Sequence, residues 1–107
     1  MKILLDESLP IKLKIDFGPE HEVYTVRDKG WLGQKNGALL QLIIAEGFDL
    51  FVTVDRNLRY QQNLDNLEIF IAVLISKDNR LQTLRNLITK LVLKLAEGNY
   101  NRIIEIS

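Results

Sequence analysis

Two aspartates that follow apolar runs constrain this chain more than any other feature of its sequence. The run KILL leads into Asp6, and the run LFVTV leads into Asp55. Because the carboxyl ends of parallel strands line one edge of an open α/β sheet, where ligands bind, we expect both side chains at that edge. Two carboxylates held together repel each other unless a cation or a shared proton relieves them. The pattern favours a hard divalent cation such as Mg²⁺, together with phosphate chemistry.

A purely structural interpretation of the same residues stays open. An aspartate after a strand is an ordinary N-cap for the next helix, and Asn36 has the same capping chemistry. Glu7 is either a further ligand or a solvated neighbour of Asp6, because adjacent side chains on a strand point to opposite sides.

Composition limits the class of protein. A chain of 107 residues with 47% hydrophobic and 26% charged residues is typical of one soluble globular domain, here residues 1–107. Its apolar runs are too short to span a membrane, and no signal peptide is recognised before the first strand. The absence of cysteine excludes disulfides and thiolate metal sites, and fits a cytoplasmic location. With 14 acidic and 14 basic residues, any contact with nucleic acid must be local.

Strand and helix signals alternate along the chain. Strands are predicted over residues 3–5, 22–26, 50–54, 69–75 and 102–106, the last at a sheet edge. Helices are predicted from Ser8-Leu9-Pro10 to about Asp16 and over residues 57–64. Two more are predicted, one over residues 38–46 between an Asn36 cap and Gly47, the other from a cap at Asp78 or Asn79 until Gly98, which follows it. This order predicts a three-layer α/β/α sandwich with a mainly parallel five-stranded sheet.

Other polar residues are expected near the same edge. Arg56 and Arg59 flank Asp55, and guanidinium groups suit bidentate phosphate contacts. Gln61 and Gln62 belong to a run of amides that would hydrogen-bond bases or ribose hydroxyls, or else satisfy backbone groups in an irregular helix. The sequence has no glycine-rich phosphate loop, and one histidine cannot form a histidine-rich metal site.

Several motifs together resemble a known family. The opening MKILLDESLP, the segment GWLG at residues 30–33, the segment KNGALL at residues 35–40, and the run VTVDRNLRYQQNL at residues 52–64 are similar to the small bacterial PIN-like proteins. This resemblance extends over nearly the whole chain. It implies an α/β sandwich whose acidic cluster binds Mg²⁺ or Mn²⁺ and cleaves RNA, often as the toxin of a toxin–antitoxin pair.

The resemblance also assigns roles to individual positions. Asp6 and Asp55 match the family's acidic positions, with Glu7 as a third metal ligand, and Asn36 and Asn57 stand where relatives often carry an acid. Ala38 replaces a common glutamate. The first hypothesis is therefore a ribonuclease in which Asp6 and Asp55 hold the metal, Asn36 and Asn57 orient the water or phosphate, and Arg56 or Arg59 offsets negative charge.

Two alternatives stay open, and the missing glutamate at Ala38, the amide run and the neutral charge favour the first. One is a PIN-like module without catalysis that binds RNA or a small antitoxin-like protein. The other is a domain that self-associates as a homodimer, through the strand at residues 102–107 or the loop that carries Trp31.

Overall fold

The sheet has five strands, all parallel, in the computed structural model, which describes residues 1–58 and 68–107. The strands are β1 (Lys2–Leu5), β2 (Glu22–Thr25), β3 (Leu50–Thr53), β4 (Phe70–Leu74) and β5 (Ile103–Ile106). Their spatial order is β2-β1-β3-β4-β5, so β2 and β5 form the edges. The predicted five-stranded parallel sheet and the edge position of the last strand are confirmed.

Three helices accompany the sheet within the described ranges. They are a 3-10 helix (Ile11–Phe17), α1 (Asn36–Ala45) and α2 (Leu81–Glu97). The helix expected over residues 57–64 lies largely outside the described residues. None of the described helices is long and apolar enough to cross a membrane.

The sheet is covered on both faces. Alternate residues of each strand point to opposite sides, and β3 is buried along its whole length, as its almost unbroken apolar sequence predicts. On one side, Ile3, Leu5 and Val52 join a core formed with the 3-10 helix and α2. On the other side, Leu4 and Phe51 join a core formed with α1. The arrangement is compatible with the predicted three layers.

The first predicted helix is wrong in type. The segment IKLKIDF alternates apolar and charged residues, a pattern that does not match the 3.6-residue period of an amphipathic α-helix. It forms a short 3-10 helix between Pro10 and Gly18 instead, and buries Leu13 and Phe17 against the core.

Two predicted helix caps are also wrong. Lys35, not Asn36, is the N-cap of α1, and Asn36 is the first helical residue. Arg80, not Asp78 or Asn79, precedes α2. Asp78 instead accepts a hydrogen bond from the Arg80 N–H at 3.0 Å, which organises a turn before the helix. The expected ends are confirmed, because Gly47 and Gly98 follow α1 and α2 with φ of 78° and 75°.

The strand order places a switch in chain direction between β1 and β3. From β1 the chain moves outward to β2 at one edge, then crosses to β3 on the other side of β1. In doubly wound sheets, a crevice opens at the carboxyl ends of the two strands that flank such a point. Asp6 follows β1 and Asp55 lies just beyond β3, so both lie at this switch point.

Candidate functional site

Asp6 and Asp55 come together because β1 and β3 are neighbours in register. Leu5 pairs with Val52, and the Asp6 N–H continues the ladder by donating to the Val52 carbonyl at 2.9 Å. Side-chain alternation then places Asp6, Thr53 and Asp55 on the sheet face that α1 covers. The predicted convergence of the two aspartates is confirmed, and we refer to Asp6, Thr53 and Asp55 as the carboxylate site.

A buried hydroxyl connects the two aspartates. Thr53 is fully buried, and its Oγ1 donates to Asp6 Oδ2 at 2.7 Å. The same oxygen accepts a hydrogen bond from the Asp55 N–H at 3.1 Å. Because a hydroxyl has one proton and two lone pairs, Thr53 makes both bonds at once and links the Asp6 carboxylate to the backbone of Asp55.

The Asp55 carboxylate is held by two asparagines. Its Oδ2 accepts a hydrogen bond from Asn36 Nδ2 at 3.2 Å, and its Oδ1 accepts one from the Asn57 N–H at 2.9 Å. The Asn57 bond is the local turn contact expected of an aspartate after a strand. The Asn36 bond is long-range, and it links the start of α1 to the end of β3.

Burial raises the pKa of the Asp6 carboxyl above its ordinary value of 3.8, and the nearby carboxylates of Glu7 and Asp55 act in the same direction. The hydroxyl of Thr53 and the N–H of Glu7, which donates to Asp6 Oδ1 at 2.8 Å, oppose this rise. The ionised form of Asp6 is therefore destabilised in the protein alone. A bound cation would reverse this effect.

The remaining predicted site residues are less tightly placed. Glu7 is exposed, and its Oε2 accepts a hydrogen bond from the Gly33 N–H at 3.4 Å. Arg56 is exposed as well, with its Nη2 donating to the Ser76 carbonyl at 3.4 Å. Both lie next to the carboxylate site in the chain, and their predicted roles stay predictions. Arg59, Gln61 and Gln62 lie outside the described residues.

Asp6 and Asp55 are the residues of this site that could hold a metal ion. Within residues 1–58 and 68–107, no group of three or more acidic or histidine side chains is arranged to hold a metal. Mg²⁺ commonly binds through one or two carboxylates and completes its shell with waters and substrate phosphates. Asp6 and Asp55 fit this pattern, since both offer carboxylate oxygens at one sheet edge.

Two residues of this region were not predicted. Thr53 stands two residues before Asp55, so strand alternation alone places it on the same side, next to Asp6 on the neighbouring strand. Arg27 follows β2 and lines a cleft together with Asp6 and Glu7. Its position just after β2, the strand beside β1, could have indicated that it lies near Asp6. The direction of its side chain was not predictable, because a loop follows.

Comparison of the chain with protein-family models, with curated proteins and with solved structures gives no significant match. The PIN-like resemblance therefore depends on the motifs alone.

Proposed function

We propose that this protein is a PIN-like, metal-dependent ribonuclease. The observation that carries the proposal is the pairing of Asp6 and Asp55 through Thr53 at the switch point of the sheet. The two acids are neighbours there, and burial raises the pKa of Asp6, which makes its ionised form less favourable than in water. A divalent cation would compensate for both effects.

In this proposal, Asp6 and Asp55 hold Mg²⁺ or Mn²⁺. The metal would polarise the scissile phosphate and lower the pKa of an attacking water. Asn36 acts by keeping the Asp55 carboxylate in place, since its amide donates to Asp55 Oδ2. Asn57, through its exposed side chain, and Arg56 remain candidates for contacts with water and phosphate, and Arg59, Gln61 and Gln62 for contacts with RNA.

The test is Mn²⁺-stimulated cleavage of single-stranded RNA. Asp6→Asn and Asp55→Asn should each reduce the rate by about 10²-fold or more, because each removes a charge that holds the metal against the phosphate. Asp49→Asn is the matched control. Asp49 immediately precedes β3, at the other end of that strand from Asp55, and accepts a hydrogen bond from the Lys2 N–H. Equal cleavage by all variants, with the fold intact by circular dichroism, would reject the proposal.

A non-catalytic binding module is the second candidate. All four carboxylate oxygens of Asp6 and Asp55 already accept a hydrogen bond from the protein, and Ala38 stands where a glutamate is common in the resembling family. Such a module would bind RNA equally well with and without EDTA, and calorimetry would detect no Mg²⁺ binding at millimolar concentration.

The protein partners are proposed more generally. A small antitoxin-like protein is the partner expected of a toxin, and co-purification of the chain with its neighbouring gene product would test this. Self-association through β5 stays a proposal based on its position at the sheet edge, and light scattering at several concentrations would reveal a dimer.

A further inference from the structure

A cleft of about 300 Å³ adjoins the carboxylate site. It lies between the segment after β1 and the segment after β2, at the same sheet edge. Asp6 forms part of its lining, and so do Glu7, Ile11, Arg27 and Leu32. A ligand in this cleft would therefore have one end beside Asp6. Its volume is at the lower limit of small-ligand pockets, which favours an occupant of about the size of one base.

The walls of the cleft expose large aliphatic side chains. The described residues contain four large exposed hydrophobic side chains, and two of them, Ile11 at 54% and Leu32 at 45%, line this cleft. Leu32 lies between Gly30 and Gly33, whose φ values of 73° and 81° allow the loop to turn back toward β1. Aliphatic surface on opposite segments suits a flat, weakly hydrated ligand.

The charges of the cleft disfavour a phosphate and favour a neutral group that donates hydrogen bonds. Asp6 and Glu7 contribute two carboxyl groups, whereas Arg27 is the one cation among the described lining residues. Glu7 Oε2 is 3.4 Å from the Gly33 N–H, so this carboxylate lies at the cleft beside the loop of Leu32. At that length the contact with Gly33 is weak, and a ligand N–H would compete well for the same oxygen.

We propose that this cleft binds an unpaired guanine base, next to the phosphate at the carboxylate site. The inference deepens the proposed ribonuclease function by naming the base that the site selects. Guanine presents two adjacent N–H donors, N1–H and N2–H, on its Watson–Crick edge, and the Glu7 carboxylate only accepts. Adenine, cytosine and uracil each have an acceptor beside their donor on that edge. This acceptor would face the Glu7 carboxylate, and the two would repel each other.

The other cleft residues complete this recognition. The Arg27 guanidinium donates to the O6 and N7 acceptors of guanine, which is a common pairing in nucleic-acid complexes. Ile11 and Leu32 cover the base, which excludes water from the hydrogen bonds. Because protein charge is neutral overall, base contacts of this kind would supply affinity that a basic surface supplies in other RNA-binding proteins.

The test measures the binding of guanosine, adenosine, cytidine and uridine in EDTA, so that neither metal nor cleavage takes part. Guanosine should bind at least about tenfold more tightly than the other nucleosides, because each of those places an acceptor against the Glu7 carboxylate and loses a hydrogen bond there. Amide chemical shifts of Glu7, Leu32 and Gly33 locate the ligand. The fluorescence of Trp31, the single tryptophan, reports on the same loop.

Two variants separate base selection from general affinity. Glu7→Gln replaces one acceptor oxygen by a donor. It should reduce the ratio of guanosine affinity to the affinity of the other nucleosides by about tenfold. Glu22→Gln makes an equal charge change at the exposed start of β2, at the other end of the strand from the cleft. It should leave the binding of all four nucleosides unchanged. Leu32→Ser should weaken binding of every nucleoside, whereas Leu93→Ser, at an exposed position of α2, should not.

The outcomes distinguish this inference from the proposed function. Equal binding of the four nucleosides, no binding of any of them, or chemical-shift changes confined to residues outside the cleft would overturn the guanine site. A cleft that binds a peptide side chain instead of a base would give no nucleoside binding. Metal-dependent cleavage without guanosine preference would retain the nuclease and reject the inference. Guanosine preference in EDTA without any cleavage would retain the guanine site and reject the nuclease.

Discussion

Two pairs of like charges in this protein have very different surroundings. Lys2 and Lys29 both place their ammonium groups over the ring of Phe48, at 4.6 and 6.0 Å from its centroid. Lys2 Nζ also donates to the Glu46 carbonyl at 2.7 Å, and Lys29 Nζ pairs with the Glu46 carboxylate at 3.5 Å. Ring faces, a helix C-terminus and a carboxylate therefore offset both positive charges.

The carboxylate site contains the opposite case. Asp6 and Asp55 receive hydrogen bonds from neutral donors. Within residues 1–58 and 68–107 neither forms an ion pair with a lysine or arginine. In the lysine–aromatic cluster, formed by Lys2, Lys29, Tyr24, Trp31 and Phe48, contacts within the fold offset both positive charges. Among the described residues no lysine or arginine forms an ion pair with Asp6 or Asp55, and this difference favours a functional role for the carboxylate site.

The largest expected effect concerns the lysine–aromatic cluster. Phe48 is buried and makes edge-to-face contacts with Tyr24 and Trp31, with ring centroids 5.7 and 6.2 Å apart. Phe48→Ala should lower the free energy of unfolding by about 3–5 kcal/mol, because it leaves a cavity under both lysines. Urea unfolding measures this. Cleavage by the fraction that stays folded should be unchanged, and a specific loss of cleavage would remove the contrast between the two regions.

A smaller loss of stability is expected at Thr53. Thr53→Val keeps the shape of the side chain but removes the hydroxyl that Asp6 and Asp55 share, and should cost about 1–3 kcal/mol at neutral pH. The pKa of Asp6 should rise further, because Thr53 donates to the ionised carboxylate. Carbon-13 NMR titration of the Asp6 carboxyl measures this rise. Thr89→Val, which removes a surface hydroxyl bonded to the Arg85 carbonyl, serves as the control and should leave Asp6 unaffected.

The metal-free protein should become more stable when Asp6 is neutralised. Because the pKa of Asp6 is raised in the folded state, mainly by burial, the folded state binds more protons than the unfolded state just above the ordinary value of 3.8. Stability is therefore lost as pH rises through the folded pKa. Asp6→Asn should have the higher free energy of unfolding at pH 7, and the difference should shrink below the ordinary value.

Asp28→Asn is the control with the opposite sign. A hydrogen bond from Lys14, at 2.7 Å, lowers the pKa of Asp28. Its stabilising contribution is present above the ordinary pKa and is lost as pH falls. Urea unfolding over a pH series compares the two variants, and parallel pH profiles would show that Asp6 does not differ from an ordinary surface acid.

The smallest expected effect is at Lys29. Lys29→Gln removes the contact with Glu46 and the positive charge over the aromatic rings, and should cost about 0.5–1 kcal/mol at low salt. High salt should reduce the difference, since the Glu46 pair is partly exposed. Lys12→Gln, on the exposed side of the 3-10 helix, is the matched charge change. Equal unfolding curves for the two variants would show that the cluster contributes no charge stabilisation.

The sheet and the meeting of the two aspartates were predictable from sequence, because the strand signals are strong and parallel strands end at one edge. Thr53 was missed although strand alternation places it beside both acids. The cap at Asn36 was predicted wrongly because the same amide chemistry serves either a helix N-terminus or a carboxylate across the site. The guanine cleft was not predictable, since it depends on how the loop between Arg27 and Lys35 folds back over β1.

Calorimetric titration of the metal-free protein with Mn²⁺ tests most directly whether Asp6 and Asp55 form one cation site. We predict saturable binding that is strongly weakened by Asp6→Asn and by Asp55→Asn, and is unchanged by Asp49→Asn. Absence of Mn²⁺ binding at millimolar concentration, or binding that persists unaltered in both site variants, would contradict the proposed metal site.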